Sequence, residues 1–234
     1  MNHIVRKCIA PAVMLGACVL GISLTGLRPA PTPIALVMKV VPSVEKKSAA
    51  VDWKGAQKGD QLNPGDQVRT GKTGLAILRF LDKSIVRVRE QSVVTLNGDP
   101  SSGTYAKVVD LHDGGVGFDI RKQVNEQFRF TSPTSVASIR GTQGLFTGYQ
   151  NNDTLVVVVG LVNLKNLPGN KNIDVPAGYI GFSGADGSLT SRPATADELR
   201  FATFAATGGS PGELNLELKD TKGNKKDLRI KFKQ

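Results

Sequence analysis

The stretch FTSPTSVASIRGTQGLF, Phe130 to Phe146, decides how the chain is read. Small and β-branched residues run up to Arg140, Gly141 and Thr142, a composition that suits a strand arriving at a corner. Two readings of that corner stand side by side. In one, Gly141 and Gly144 expose backbone N–H groups and Arg140 grips a carboxylate or phosphate. In the other, glycine lets a bent strand turn, and the planar guanidinium of Arg140 pairs with a carboxylate of a neighbouring strand or turn, Asp66 or Asp82. The glycines lack the fixed spacing of a phosphate loop, which favours the corner.

On either side the texture is the same. GLAILRFL, SIVRVRE, SVVTLNG, YAKVVDLHDG and EQFRFTS are short runs punctuated by glycine, proline and aspartate, as in a stack of strands joined by turns. LVVVVGLVNL, Leu155 to Leu164, is almost continuously apolar and reads as a central strand covered on both faces, bent at Gly160. In Asn63-Pro64-Gly65-Asp66, proline presets the first turn angle and glycine supplies the positive φ that follows, with Asp66 free to cap downstream N–H groups. Twenty-six glycines and 12 prolines, against three methionines and one tryptophan, agree with a turn-rich chain.

The expected fold is therefore all-β: an antiparallel sandwich or a solenoid-like roll of many short strands. One short helix follows, with Thr195 as N-cap and Leu199, Phe201, Ala202 and Ala205 on its inner face. Glu213 to Gln234 alternates as a basic amphipathic hairpin. The chain divides into residues 1–27, a signal peptide or membrane anchor; 28–39, a proline-rich spacer; 40–182, the β-domain; 183–212, loop and helix; and 213–234, the hairpin.

The 234 residues carry a net charge of +10, which points to acidic partners. Arg6 and Lys7 precede an uncharged apolar run, Ile9 to Leu27, closed by Arg28: an export signal in form, and an apolar N-terminal helix long enough to remain as an anchor. Leu15-Gly16-Ala17-Cys18 resembles a lipobox, so retention, cleavage and lipidation at Cys18 all stay open. Each places the remainder in the periplasm or envelope. Cys8 and Cys18 are the two cysteines, so the body of the protein has neither disulfide nor thiolate site.

No catalytic or metal constellation emerges. His112 stands alone once His3 is assigned to the targeting segment. Thr70-Gly71-Lys72-Thr73 has the end of a phosphate loop, but Gly65 is one residue too early and a strand follows. No enzyme activity, cofactor or small-molecule substrate is expected. Nucleic acid is excluded by the export signal and by the lack of aromatics among the basic residues. Lys219, Lys222, Lys225, Lys226, Arg229, Lys231 and Lys233 of the hairpin could meet anionic lipid, lipopolysaccharide or an acidic protein surface, or serve to discourage edge pairing.

The order LNPGDQVRTGKTGLAILRFLDKSIVRVREQSVVTL, GGVGFDI, FRFTSPTSVASIRGTQGLF, TLVVVVGLVNL and VPAGYIGF resembles the FecR-like domain family of bacterial envelope proteins, over Val40 to Phe182. The family's turn before a hairpin falls on Gly65, Asp66, Val68 and Thr70, and its hairpin on Asp82 and Ser84. Its R-G-T corner falls on Arg140, Gly141 and Thr142, and a later segment on Gly160 and Val162. Three positions depart from the pattern: Lys83 in place of a turn glycine, Val159 in place of an acid, and Tyr179 where glutamine is common. The resemblance implies a stand-alone periplasmic module without the cytoplasmic anti-sigma domain, since only about seven residues precede the apolar run. Two functions are expected as alternatives: signal relay through an envelope protein partner, or binding of anionic polymers such as peptidoglycan or lipopolysaccharide through the basic surface.

Overall fold

The computed structural model describes residues 32–49, 51–99, 106–122 and 127–208, and the paired backbone of 214–219 and 225–230. The strands run β1 (Ala35–Val41), β2 (Val44–Ser48), β3 (Val51–Gly55), β4 (Gln61–Leu62), β5 (Gln67–Thr70), β6 (Leu75–Phe80), β7 (Ile85–Val88), β8 (Val93–Asp99) and β9 (Ala106–Asp119). They continue with β10 (Gln127–Thr131), β11 (Ser135–Ile139), β12 (Gln143–Tyr149), β13 (Asn152–Val159), β14 (Leu161–Asn166), β15 (Lys171–Pro176), β16 (Tyr179–Gly184) and β17 (Leu189–Pro193). Helix α1 (Ala196–Thr207) follows, then β18 (Leu214–Lys219) and β19 (Lys225–Ile230).

Pairing sorts the first seventeen strands into two layers. The first runs β4-β1-β6-β7-β9-β12-β13-β16-β17. The second runs β3-β2-β5-β8-β9-β10-β11-β14-β15. Strand β9 belongs to both, changing layer at Gly114, whose φ is +95°. The layers pack face to face: Phe118 and Phe146 of the first lie 5.0 and 6.1 Å from Phe130 of the second, and Phe80 lies 5.0 Å from Phe128. All-β architecture is thus as expected, with one exception to antiparallel pairing: β9 and β10 run parallel. β1 occupies the end of the stretch that reads as a spacer, and β17 extends the first layer beyond Phe182.

The apolar run Leu155 to Leu164 is two strands in different layers, not one, because Gly160 turns the chain between them with φ +91°. β13 is apolar on both faces for a visible reason. Leu155 and Val157 enter the core between the layers, while Val156 packs outward with Leu145 and Ile180 against Ala202 and Ala205 of α1. Small alanines let the helix sit close, and a cluster of this kind contributes a few kcal/mol at ~25 cal/mol per Å² buried.

α1 begins as expected: the Thr195 hydroxyl accepts from the Glu198 N–H (3.2 Å), and the Glu198 carboxylate accepts from the Thr195 N–H (2.8 Å), a reciprocal cap. Its inner face differs from expectation. Ala202, Ala205 and Ala206 are buried, whereas Phe201 is 52% exposed, with the Arg89 guanidinium 5.9 Å from its ring centroid.

Arg192 also grips Glu198 through both nitrogens, at 3.0 and 2.7 Å. This pairing, and then the Thr195 N–H, hold the Glu198 carboxyl at about 2 instead of the ordinary 4.5. A depressed carboxyl stabilises the fold above its unfolded value, and the effect is lost as pH falls through the folded value. Melting temperature is therefore expected to fall between about pH 4.5 and pH 2 by less in Glu198→Gln than in the parent, with carboxyl NMR locating the titration. Equal slopes in both would remove the cap from the acid response.

In the C-terminal hairpin, Leu214 pairs with Ile230 and Leu216 with Leu228, the register expected from the alternation. Lys219, Lys225, Lys226 and Arg229 lie on these paired strands; Lys222, Lys231 and Lys233 lie outside the described residues, as does Cys18.

Candidate functional site

Each passage from one layer to the other needs a corner, and corners from successive strands stack along one long side of the sandwich. Ile120 and Thr142 exchange backbone hydrogen bonds of 3.0 and 3.1 Å. The buried Thr142 hydroxyl donates to the Leu161 carbonyl at 3.2 Å. Ala177 N–H then donates to Gly160 (2.9 Å), and Ala194 N–H to Gly178 (2.8 Å). Only glycine fits at 160: a Cβ there would stand 2.8 Å from the Thr142 hydroxyl and 2.9 Å from the Gly141 carbonyl. The chain enters the domain on this same side, where Ile34 accepts from Leu81 N–H at 3.3 Å. We call it the proximal side.

The stretch Phe130 to Phe146 thus forms β10, β11, a corner and the start of β12. Its arginine does not do what the sequence suggested. Arg140 is exposed and pairs with neither Asp66 nor Asp82. Asp66, buried, accepts from Asn63 N–H at 2.8 Å and closes the turn upstream, where Gly65 has φ +89°. Asp82 accepts from Ser84 N–H at 2.8 Å and pairs with Lys107 at 2.5 Å, both side chains at most 6% exposed. The interior cation at the proximal end of the core is therefore Lys107 of β9, with Arg140 lining the same depression from outside. Arg140→Ala is expected to change stability by no more than about 0.5 kcal/mol, as for an exposed side chain outside any buried network. A thermal melt displaced by more than a few degrees would restore Arg140 to a structural role.

The other sequence-predicted positions lie apart. On the opposite, distal side the Thr70 hydroxyl accepts from Ser92 N–H at 2.9 Å and donates to the Arg89 carbonyl. Asp153, buried there, accepts from Ser132, Thr134 and Ser135 hydroxyls and ties the layers together. His112 is exposed and bonds only Thr95 (2.7 Å) among the contacts described. An open groove beside edge strand β3 is lined by Ser43, Glu45, Gly55 and Arg69, the last paired with Glu45 at 2.6 Å and stacked 4.2 Å from the Trp53 ring centroid. Arg69 pulls the Glu45 carboxyl below its usual range. Among the described residues no three His, Cys, Asp or Glu side chains are grouped to hold a metal ion, and no helix is long and apolar enough to cross a membrane.

The two long sides differ in surface chemistry. Proximal corners expose Leu81, Val159, Leu161 and Tyr179, 37–62% accessible, and the cations Lys83, Arg121, Lys122 and Arg140. Lys83, Val159 and Tyr179, the departures noted above, all lie here. Distal turns carry Ser43, Gln91, Gln150, Asn151 and Asn170 at positive φ, with Glu90, Asp113 and Asp186 around the exposed Tyr149 and Leu167 and the cations Lys72 and Lys171 among them. Sequence reading missed the proximal surface because its residues come from five separate segments of the chain, and only Gly141 and Gly160 marked corners there in advance.

The family profile described as FecR protein matches residues 66–163. No curated protein matches the sequence. Among solved structures, two crystal structures of a protein provisionally described as an anti-sigma factor from Parabacteroides distasonis are similar at 13% identity, with a TM-score of 0.49. The match covers 56% of this chain and 61% of theirs, so the chain spans about three fifths of the length of these neighbours. The matched stretch runs from the start of strand β5 to the first residues of β14, with the R-G-T corner and Gly160 inside it.

Proposed function

We propose that this chain is an exported, non-enzymatic FecR-type protein of the bacterial envelope that relays a signal through protein contacts, with residues 1–27 holding it at the membrane. The observation that carries the reading is the FecR match over 66–163, on strands that contribute to both layers of one closed core. Open edges give such a domain a means of contact: β3 and β15 each pair on one side only, and β3 presents Trp53 beside the groove at Arg69. A signal module of this kind works by holding a partner, so contact surfaces matter more than a pocket.

Two measurements test it together. Protease added to intact spheroplasts should degrade the domain, which places it outside the cytoplasm. A photo-crosslinking amino acid at Trp53 or Lys171 should give a discrete adduct of one mass in cells. Protection in intact spheroplasts refutes export; exposure without any adduct from either edge refutes edge-mediated contact.

A further inference from the structure

We propose that the proximal side is a membrane-facing surface that seats on anionic lipid head groups, its apolar corner tips entering the interface and its arginines and lysines meeting phosphate. The proposal draws on the reading of residues 9–27 as a retained anchor and goes beyond it by assigning the face that meets the bilayer.

Four observations converge. First, Leu81, Val159, Leu161 and Tyr179 protrude from turns on a rigid stack, each 37–62% accessible. A single exposed leucine means nothing, but apolar tips aligned on one side of a sandwich are unusual. Successive strands lie ~4.8 Å apart, so the four steps from β7 to β16 spread these tips over roughly 20 Å. Second, Lys83, Arg121, Lys122 and Arg140 are exposed among them, and no ion pair engages them within the described residues. Interfacial surfaces combine apolar insertion with basic head-group contact, each basic residue adding to the attraction toward an anionic leaflet.

Third, at this side Asp82 is buried against Lys107 and Asp119 is half-buried and acts on Arg87, whereas Glu90, Asp113 and Asp186 stand on the distal side, offset there in part by Lys72 and Lys171. The charge asymmetry gives the molecule a preferred orientation toward an anionic surface. Fourth, the chain comes in from the N-terminus at this side. Ile34 bonds Leu62 and Leu81, and six residues, Arg28 to Pro33, separate it from the apolar run. At no more than ~3.6 Å per residue they span roughly 20 Å, so a retained anchor limits how far Ile34, the proximal point of entry, can stand from the bilayer.

The test uses the full chain with Cys8→Ser and Cys18→Ser and an environment-sensitive fluorophore at Leu161→Cys or, as distal control, Asn151→Cys. The probes are phosphatidylcholine vesicles with or without about 30% phosphatidylglycerol, carrying quencher-labelled lipid. The label at 161 should be blue-shifted and quenched in anionic vesicles while that at 151 is not. Arg121→Glu with Arg140→Glu should lower the ratio of lipid-contacting to water-exposed label at 161 by about tenfold or more. Flotation after carbonate washing of neutral vesicles reports the anchor separately. Flotation with 161 as wet as 151 overturns the proposal while the anchor stands; failure to float with 161 still quenched in anionic vesicles upholds it while the anchor falls. Protection of 161 without lipid, with a doubled mass by light scattering, overturns it in favour of a second copy. Protection only on adding envelope proteins overturns it in favour of a protein partner.

Discussion

Lys107→Met is expected to lower the free energy of unfolding by about 3–5 kcal/mol, the cost of removing one member of a buried ion pair. Lys107 points inward from β9, in the same alternation that buries Val109 and Leu111, and so places an ammonium where a hydrophobic side chain would normally go. Its partner Asp82 is held by the Ser84 N–H through the other carboxylate oxygen, so it cannot swing out to water when the lysine is lost. The carboxylate then remains in a site built for a charge pair, which is where the penalty arises. Asp82→Asn combined with Lys107→Met should recover most of the loss, because the amide keeps the Ser84 hydrogen bond and carries no charge. At ~2–4 °C per kcal/mol for a domain of this size, the single variant should melt roughly 10 °C lower. Urea unfolding that finds the single and double variants within about 1 kcal/mol of the parent would show that the pair does not restrain the proximal end of the core.

Much of the architecture follows from local chemistry and was legible for that reason. Alternation marks β5 and β6, whose burial goes buried-to-half-buried residue by residue, and glycine marks the corners at 141 and 160. The Thr195 cap and Glu198 lie three residues apart, so one glance at the sequence finds both. Layer membership was not legible. β9 changes layer within one strand, and its parallel neighbour β10 is chosen by packing between Phe118, Phe128 and Phe130, not by any turn signal. The cation at the core's end was misassigned for a related reason: within AKVVDL a lysine reads as an outward residue, and a partner as far away in sequence as Asp82, 25 positions off, makes an inward one tolerable. Arg140 has the letters of a structural arginine and the surroundings of a surface one.

The second large effect lies at the other end of α1. Its last turn contains no basic residue, yet the end is capped by a cation: Arg87 of β7 donates to the Thr207 carbonyl at 2.8 Å and to the Ala206 carbonyl. These carbonyls have no partner within the helix, and they carry the negative end of its dipole. Burial pulls the Arg87 pKa down and the Asp119 carboxylate pushes it back, which leaves a guanidinium charged at neutral pH. Gly117, paired with Arg87 on the neighbouring strand, makes the approach possible, since a Cβ there would stand 2.0 Å from the Ala205 carbonyl oxygen. Arg87→Leu removes two charged hydrogen bonds, about 1.5–3 kcal/mol each, and should destabilise the helix seam by roughly 3 kcal/mol. Gly117→Ala should act on the same seam by pushing the helix away, and the two together should cost less than their sum because either one already lifts it. The loss should be local: hydrogen exchange speeds up in α1 and on β12, β13 and β16, whose Leu145, Val156 and Ile180 the helix covers, while β10 and β11 keep their protection. Uniform acceleration across both layers would mean instead that α1 is part of the cooperative core, and that Arg87 stabilises the whole sandwich through it.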